Sequence, residues 1–222
     1  MNHYKSLSNQ VFQKDRYKIV PIRFEDKIAI MKWRNEQIYH LRQSKLLTLR
    51  DQEDYFNYIV TPLFEKEKPN QILFSYLKDN VCIGYGGLVH INWIDQNAEV
   101  SFIMDTKLEK EYFKFHWSVF GKLIEKVAFL ELNLYKIFTY AFDLRPKLYE
   151  VLEKMSFVKE ATLKGHCLFD TKYIDVLIHS KMNPYKLTFR LASIEDVNIF
   201  YRWTNEADVR KQSYNSEEIK FS

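Results

Sequence analysis

Two stretches of the sequence, 170 positions apart (Trp33 and Trp203), carry the same pattern, and that offset sets the size of the unit the chain can fold into. Ile22-Arg23-Phe24-Glu25-Asp26 is followed by Trp33-Arg34-Asn35-Glu36. Ala192-Ser193-Ile194-Glu195-Asp196 is followed by Trp203-Thr204-Asn205-Glu206. After a one-residue slip, Leu41-Arg42-Gln43-Ser44 pairs with Arg210-Lys211-Gln212-Ser213. An ordered set of matches at a fixed offset marks an internal repeat. Each copy reads as a strand, a short turn and a helix. Residues 17–23 alternate like a half-buried strand, and Glu25 and Asp26 place acidic groups in the first helical turn, where they complement the helix dipole. Ile28, Met31 and Trp33 then form an apolar stripe. In the second copy Leu187, Phe189 and Leu191 belong to the strand, and Val197, Phe200, Tyr201 and Trp203 to the helix. The boundary falls at Met182-Asn183-Pro184, where proline ends the last strand. The expected organisation is an N-terminal extension over 1–16, a complete domain over 17–182, and over 183–222 a linker with the opening strand and helix of a truncated second copy. That last stretch is too short to bury a core of its own.

Composition narrows the class. Hydrophobic residues make up 46% of the 222 positions and aromatic residues 16%, enough for a packed core and too many for a disordered chain. Lys and Arg number 33 against 29 Asp and Glu, a net charge of +4. That excess is too mild for nucleic-acid binding; it suits an anionic small molecule or simply a solvated surface. Cys82 and Cys167 are far apart, flanked by apolar residues and without metal-type spacing, so they read as small core residues in a reducing compartment. No apolar run approaches the ~20 residues that a bilayer requires, and the polar first sixteen residues lack the apolar stretch of a signal peptide. The expectation is a soluble cytoplasmic protein without a membrane partner.

Within the first domain the periodicities follow in order. Thr48 caps a second helix that ends near Val60, and a charged loop spans 61–70. Strands are expected over 71–77, 81–93 and 98–104, separated by the turns Lys78-Asp79-Asn80 and Asp95-Gln96-Asn97. Gly84, Gly86 and Gly87 inside the second of these strands suggest a bulge or a close backbone approach. A long helix covers 113–132, with Val119, Leu123, Val127 and Leu130 on one face. A strand over 135–142 follows. Pro146 opens a helix to Met155, and 157–169 and 172–181 form a hairpin across Asp170-Thr171. This order gives an α/β arrangement with a mixed, mostly antiparallel central sheet flanked by helices. The adjacent hairpins are wrong for a doubly wound nucleotide fold.

That order is similar to the GNAT acetyltransferase superfamily over about residues 17–182, and local segments agree. Trp33-Arg34-Asn35 resembles a motif of branches that acetylate ribosomal-protein termini or nucleotide-linked amino sugars. Ile83-Gly84-Tyr85 and Ala98-Glu99-Val100 resemble the central hairpin, and Leu132-Asn133-Leu134-Tyr135-Lys136-Ile137 resembles the end of the third helix and the next strand. Val151-Leu152-Glu153-Lys154-Met155-Ser156-Phe157 resembles the signature before the last hairpin, and Lys172-Tyr173-Ile174-Asp175-Val176 the closing strand.

The resemblance implies acetyl-CoA as cosubstrate in a V-shaped opening between the two central strands, with the backbone of Ser101, Phe102, Ile103 and Met104 pairing with the pantetheine arm. In the family the pyrophosphate sits on a glycine-rich turn at a helix N-terminus, where free N–H groups and the positive dipole end meet it. Here 106–117 holds no glycine; Phe115 and Trp117 stand at the usual glycine positions, and Lys107, Lys110 or Lys114 would neutralise the phosphates. His116 would act as a base or touch a phosphate. The position of the family's frequent general-acid tyrosine holds Leu152, with Tyr149 one turn earlier. Glu99 is the candidate base for the acceptor ammonium, Tyr140 a second catalytic candidate on the substrate side, and Arg34 the group for an acidic feature of the acceptor. Each has a structural alternative: an ion pair for Glu99, a packing contact for Arg34, a core site for His116 and the aromatic residues, and a solvated loop for the lysines.

Two functions stay open on sequence. One is an N-acetyltransferase acting on a primary amine, such as that of a nucleotide-linked amino sugar in surface-glycan synthesis or, next, a protein N-terminus, with a homodimer as the possible assembly. The other is a degenerate domain without catalysis that serves as a scaffold or partner module.

Overall fold

The computed structural model of the chain describes residues 2–41, 43–186, 190–215 and 217–220; Arg42, Leu187 and Phe189 of the repeat alignment lie outside them. The alternating segments pair as one eight-stranded sheet. Its strands are β1 (Phe12–Lys14), β2 (Tyr17–Pro21), β3 (Ile72–Lys78), β4 (Val81–Asn92), β5 (Asn97–Met104), β6 (Lys136–Phe142), β7 (Val158–Phe169) and β8 (Lys172–Met182), in the spatial order β1-β2-β3-β4-β5-β6-β8-β7. All neighbours are antiparallel except β5 and β6, which run parallel. This is the mixed, mostly antiparallel sheet that the sequence order implies.

Helices cover both faces. They are α1 (Lys27–Glu36), α2 (Leu49–Asp54), α3 (Thr61–Phe64), α4 (Thr106–Glu111), α5 (Phe113–Glu125) and α6 (Pro146–Lys154). Successive side chains of a strand point to opposite faces, so a few contacts assign the sides. Phe102 stacks on Phe120 of α5 at 4.0 Å and meets Trp117 edge-on at 5.2 Å. Even-numbered residues of β5 therefore face α5, and Glu99, Ser101 and Ile103 face the α1 side. There Tyr85, opposite Ile103, reaches Arg34. Glu99 is in register with Phe138, which puts Tyr140 on the α1 side and Thr139 on the α5 side.

The structure differs from the sequence expectation in four places. The extension over 1–16 is part of the fold: Phe12–Lys14 adds the edge strand, and Tyr4 is fully buried, its hydroxyl donating to the Leu73 carbonyl and accepting from the Leu73 amide. Its polar composition hid three anchoring residues, Tyr4, Leu7 and Phe12. The helix expected to end at Val60 runs on, through a wider π turn over Tyr55–Val60, into α3, whose Leu63 and Phe64 are buried. The wide turn accommodates Pro62, which has no N–H to donate. Residues 106–111 are a helix capped by the Asp105 carboxylate on the Lys107 amide, not a loop. On α1 the buried residues are Ile30 and Trp33, while Ile28 is exposed.

The central glycines serve close approach. A Cβ on Gly87 would lie 2.0 Å from the Ile72 carbonyl oxygen, and one on Gly86 would lie 2.2 Å from that of Ser101. β4 is irregular beside Gly84, where the pairing with Tyr76/Leu77 skips Ile83, and again between Val89 and Asn92, where His90 takes a left-handed φ of 51°.

The chain divides into two units, Met1–Lys186 and Leu187–Ser222. In the second, a 3₁₀ turn over Ile194–Asp196 leads into α7 (Val197–Thr204) and then α8 (Ala207–Lys211). In the first, a 3₁₀ turn over Phe24–Asp26 leads into α1. Asn35 holds both backbone groups of Leu47 with its side-chain amide, and Asn205 does the same to Ile219.

Candidate active site

The parallel pair β5–β6 is in register only at Asn97, Ala98 and Glu99 with Lys136, Ile137 and Phe138. Beyond that point β5 stays with β4 and β6 with β8, so the two strands splay apart. A cavity of about 460 Å³ fills the wedge, lined from both faces of the sheet.

On the α1 side its polar groups include Glu99, His90, Arg34, Ser101 and Tyr140. Glu99 sits at the apex of the wedge and is buried, with its Oε2 2.8 Å from Nδ1 of the exposed His90. The bulge in β4 turns His90 back toward this carboxylate. Asn and His are among the residues that tolerate such a left-handed position. Arg34 donates from Nη1 to the Tyr85 hydroxyl at 2.6 Å and from Nε to Gln43 at 3.0 Å. The Tyr85 oxygen raises the guanidinium pKa above its already high ordinary value, so Arg34 is always charged. Tyr140 lies on the facing strand, 3.5 Å from the Cys167 sulfur.

On the α5 side the wall is Phe102, Trp117, Thr139, Leu148 and Arg145. Trp117 is 4% exposed and Thr139 3%, yet the indole Nε1 and the hydroxyl Oγ1 have no hydrogen-bond partner among the described residues. The Arg145 Nε is buried and unpaired in the same way. The rest of that guanidinium is engaged: Nη2 donates to both Glu109 oxygens at 3.0 and 3.2 Å, Nη1 lies 3.1 Å from His40 Nδ1, and its carbon sits 4.9 Å over the Phe113 ring. Burial beside this cation pushes the His40 pKa down to about 3, so His40 is neutral.

The structure brings together Arg34, Glu99, Ser101, Phe102, Ile103, Trp117 and Tyr140 around one cavity. Four other expected site residues stand elsewhere. Met104 is buried outside the lining, and its carbonyl accepts from Gln37. Lys114 pairs with Glu150 on α6. Phe115 is half exposed and packs edge-on against Tyr17. His116 points to the opposite side of α5, where Nδ1 meets the Tyr76 hydroxyl at 3.1 Å amid the rings of Tyr17, Tyr76 and Tyr112. A helical step of about 100° separates neighbours, so Trp117 can face the wedge while His116 faces the β2–β3 core. Leu152 is a core residue at 1% exposure, and the Tyr149 hydroxyl donates to the Phe142 carbonyl. His90, Thr139 and Arg145 escaped the sequence reading. Only the register of the splay and the bulge in β4 place them at the wedge.

A sheet that splays beside a parallel strand pair, with a carboxylate at the apex of a lined cavity, defines a candidate ligand-binding wedge. The sequence matches the Acetyltransferase (GNAT) domain family over residues 19–178, and the chain belongs to that family. The fold agrees with spermidine N-acetyltransferase from Vibrio cholerae in complex with CoA and spermine, at a TM-score of 0.68 and 18% identity, covering 77% of this chain and 97% of that one. It agrees likewise with a dodecameric structure of spermidine N-acetyltransferase from Vibrio cholerae in an intermediate state, at 0.64 and 20%, covering 79% and 98%.

Acetyl-CoA is the cosubstrate of this acetyltransferase family, and the wedge suits its arm. The edge of β5 beyond Glu99 is not covered by β6, and the unpaired Thr139 Oγ1 suits a ligand rich in amides and hydroxyls. No helix among the described residues is long and apolar enough to cross a membrane.

Proposed function

We propose that the chain transfers an acetyl group from acetyl-CoA to the primary amine of an acceptor that also carries an anionic group, of which a nucleotide-linked amino sugar is the best-fitting class. The observation that carries this reading is the charge of the lining. Among the described lining residues Arg34 is the cation on the acceptor side, Arg145 being paired with Glu109, and Glu99 is the lining acid. A polyamine would meet like charges there, and like charges 4 Å apart repel by about 4 kcal/mol at the effective dielectric of a protein surface. An acceptor phosphate or carboxylate would instead meet Arg34, already oriented by Tyr85 and Gln43.

Acetyl-CoA supplies an activated thioester carbonyl carbon. The protein's part is to hold the arm along β5, to place the amine at the apex, and to take up its proton. Glu99 accepts that proton from the ammonium, and His90, hydrogen-bonded to the carboxylate and exposed at the other end, passes it toward water. Tyr140 faces the same space from β6 and orients the amine or donates to the departing sulfur. Leu152 leaves α6 without an acid at the wedge, so the opposite strand is the source of such a donor.

Two further elements belong to this reading. The unit 187–222 is the opening of a second GNAT-like copy, supported by the repeated 3₁₀ turn, helix and asparagine clamp. A cytoplasmic homodimer is supported by the two free cysteines and by the long edge strand β7, unpaired on its outer side among the described residues.

The test is a matched acceptor screen by thiol release from acetyl-CoA, comparing a nucleoside-diphosphate amino sugar, the same amino sugar without the nucleotide, and spermidine. The anionic amine is expected to be used best, and Arg34→Met to raise its KM at least tenfold while leaving KM for the neutral sugar unchanged. Preference for spermidine would sink the assignment, and a folded chain that binds no acetyl-CoA would leave the scaffold reading.

A further inference from the structure

The family's usual phosphate cradle is built of backbone amides on a glycine-rich turn, and this chain has no glycine there. Helix α4 occupies 106–111, no glycine lies between Met104 and Trp117, and Phe113 is buried at the first position of α5. Yet the same corner gathers side-chain donors with unmet capacity. Arg145 and Trp117 both line the wedge, and the Arg145 Nε and Trp117 Nε1 are buried without a partner among the described residues. A buried unsatisfied donor costs about 1–3 kcal/mol, so each of the two gains from an acceptor. Arg145 opens α6 and lies over the ring of Phe113, so it stands beside the start of α5, whose capping residue Tyr112 makes no side-chain cap. A guanidinium matches phosphate geometry with several donors at once.

We infer that the diphosphate of acetyl-CoA is held in this protein by a side-chain cradle, the Arg145 guanidinium with the Trp117 indole N–H, in place of a glycine turn. The inference rests on the acetyl-CoA reading above. Glu109 is the internal competitor: it takes both of its contacts from Arg145 Nη2 and holds α4 over the corner while doing so. Arriving phosphate shares or displaces that carboxylate, and His40, neutral at Nδ1, stays as the third contact of the guanidinium. Lys114 takes no part, because its ammonium is committed to Glu150 away from the wedge.

The experiment is calorimetric titration of the full chain with two probes that share the acetylated arm: acetyl-CoA, and S-acetylpantetheine, which lacks the diphosphate and nucleotide. Wild type is expected to bind acetyl-CoA at least tenfold more tightly, with affinity falling as salt is raised. Arg145→Gln is expected to lose at least tenfold for acetyl-CoA and to leave S-acetylpantetheine within twofold. Glu109→Gln frees the guanidinium and is expected to tighten acetyl-CoA severalfold. It carries the test if Arg145→Gln does not fold. Equal loss for both probes in Arg145→Gln, no loss for either, or weakened acetyl-CoA binding in Glu109→Gln would reduce Arg145 to a strut and overturn the inference. If wild type binds S-acetylpantetheine as well as acetyl-CoA, the cradle fails while the acetyltransferase reading stands; if it binds neither, both fail together.

Discussion

At the scale of single residues, the wedge works by what surrounds each group. Glu99 was visible in the sequence as an acid at the start of a strand. Its partner was not, because His90 lies nine residues away and reaches the carboxylate only through the left-handed bulge. The carboxylate thereby meets a titratable ring open to solvent. The role proposed for the pair predicts that Glu99→Gln lowers kcat by roughly 10²–10⁴-fold, the usual size of a general-base contribution, with acetyl-CoA affinity unchanged by calorimetry. A kcat that falls less than threefold would assign the proton to another acceptor. Arg34 and Trp117 show the opposite case: their residue types suggested both packing and binding roles, and they line the wedge while making structural contacts as well.

At the scale of elements, the alternating and helical patterns were legible because burial repeats with period 2 or 3.6. The junctions were less so. Helix α4 follows a strand that ends at Asp105, and its capping carboxylate was the available signal. His116 reports how α5 is seated on the sheet. Burial, with Lys78 nearby, holds its pKa down to about 4 from the ordinary 6.5. The folded protein therefore keeps this ring neutral while the unfolded chain takes up a proton near pH 6.5. Stability from this group is full above that value and falls as the solution is acidified from 6.5 to about 4. His40 adds a loss of the same sign that continues to about pH 3. Urea titrations across pH 4–7 should show this slope, and His116→Gln should make it shallower. An unchanged slope in that variant would mean that the ring is charged in the folded state.

At the scale of the whole molecule, the splayed pair, its lining and the N-terminal anchors all lie within Met1–Lys186. A chain ending at Lys186 is therefore expected to bind acetyl-CoA within threefold of the full chain and to keep its melting temperature within a few degrees; a larger loss in either would tie the site to residues 187–222. The sequence by itself determined the order of the central strands and longer helices and the family, since each rests on local periodicity or on short ordered motifs. The tertiary structure decided what those signals do not encode: that the polar first residues complete the core, and that Met104, Lys114, Phe115 and His116 leave the wedge while His90, Thr139 and Arg145 enter it. Side-chain direction depends on register and on the turn of a helix, and a shift of one residue reverses it.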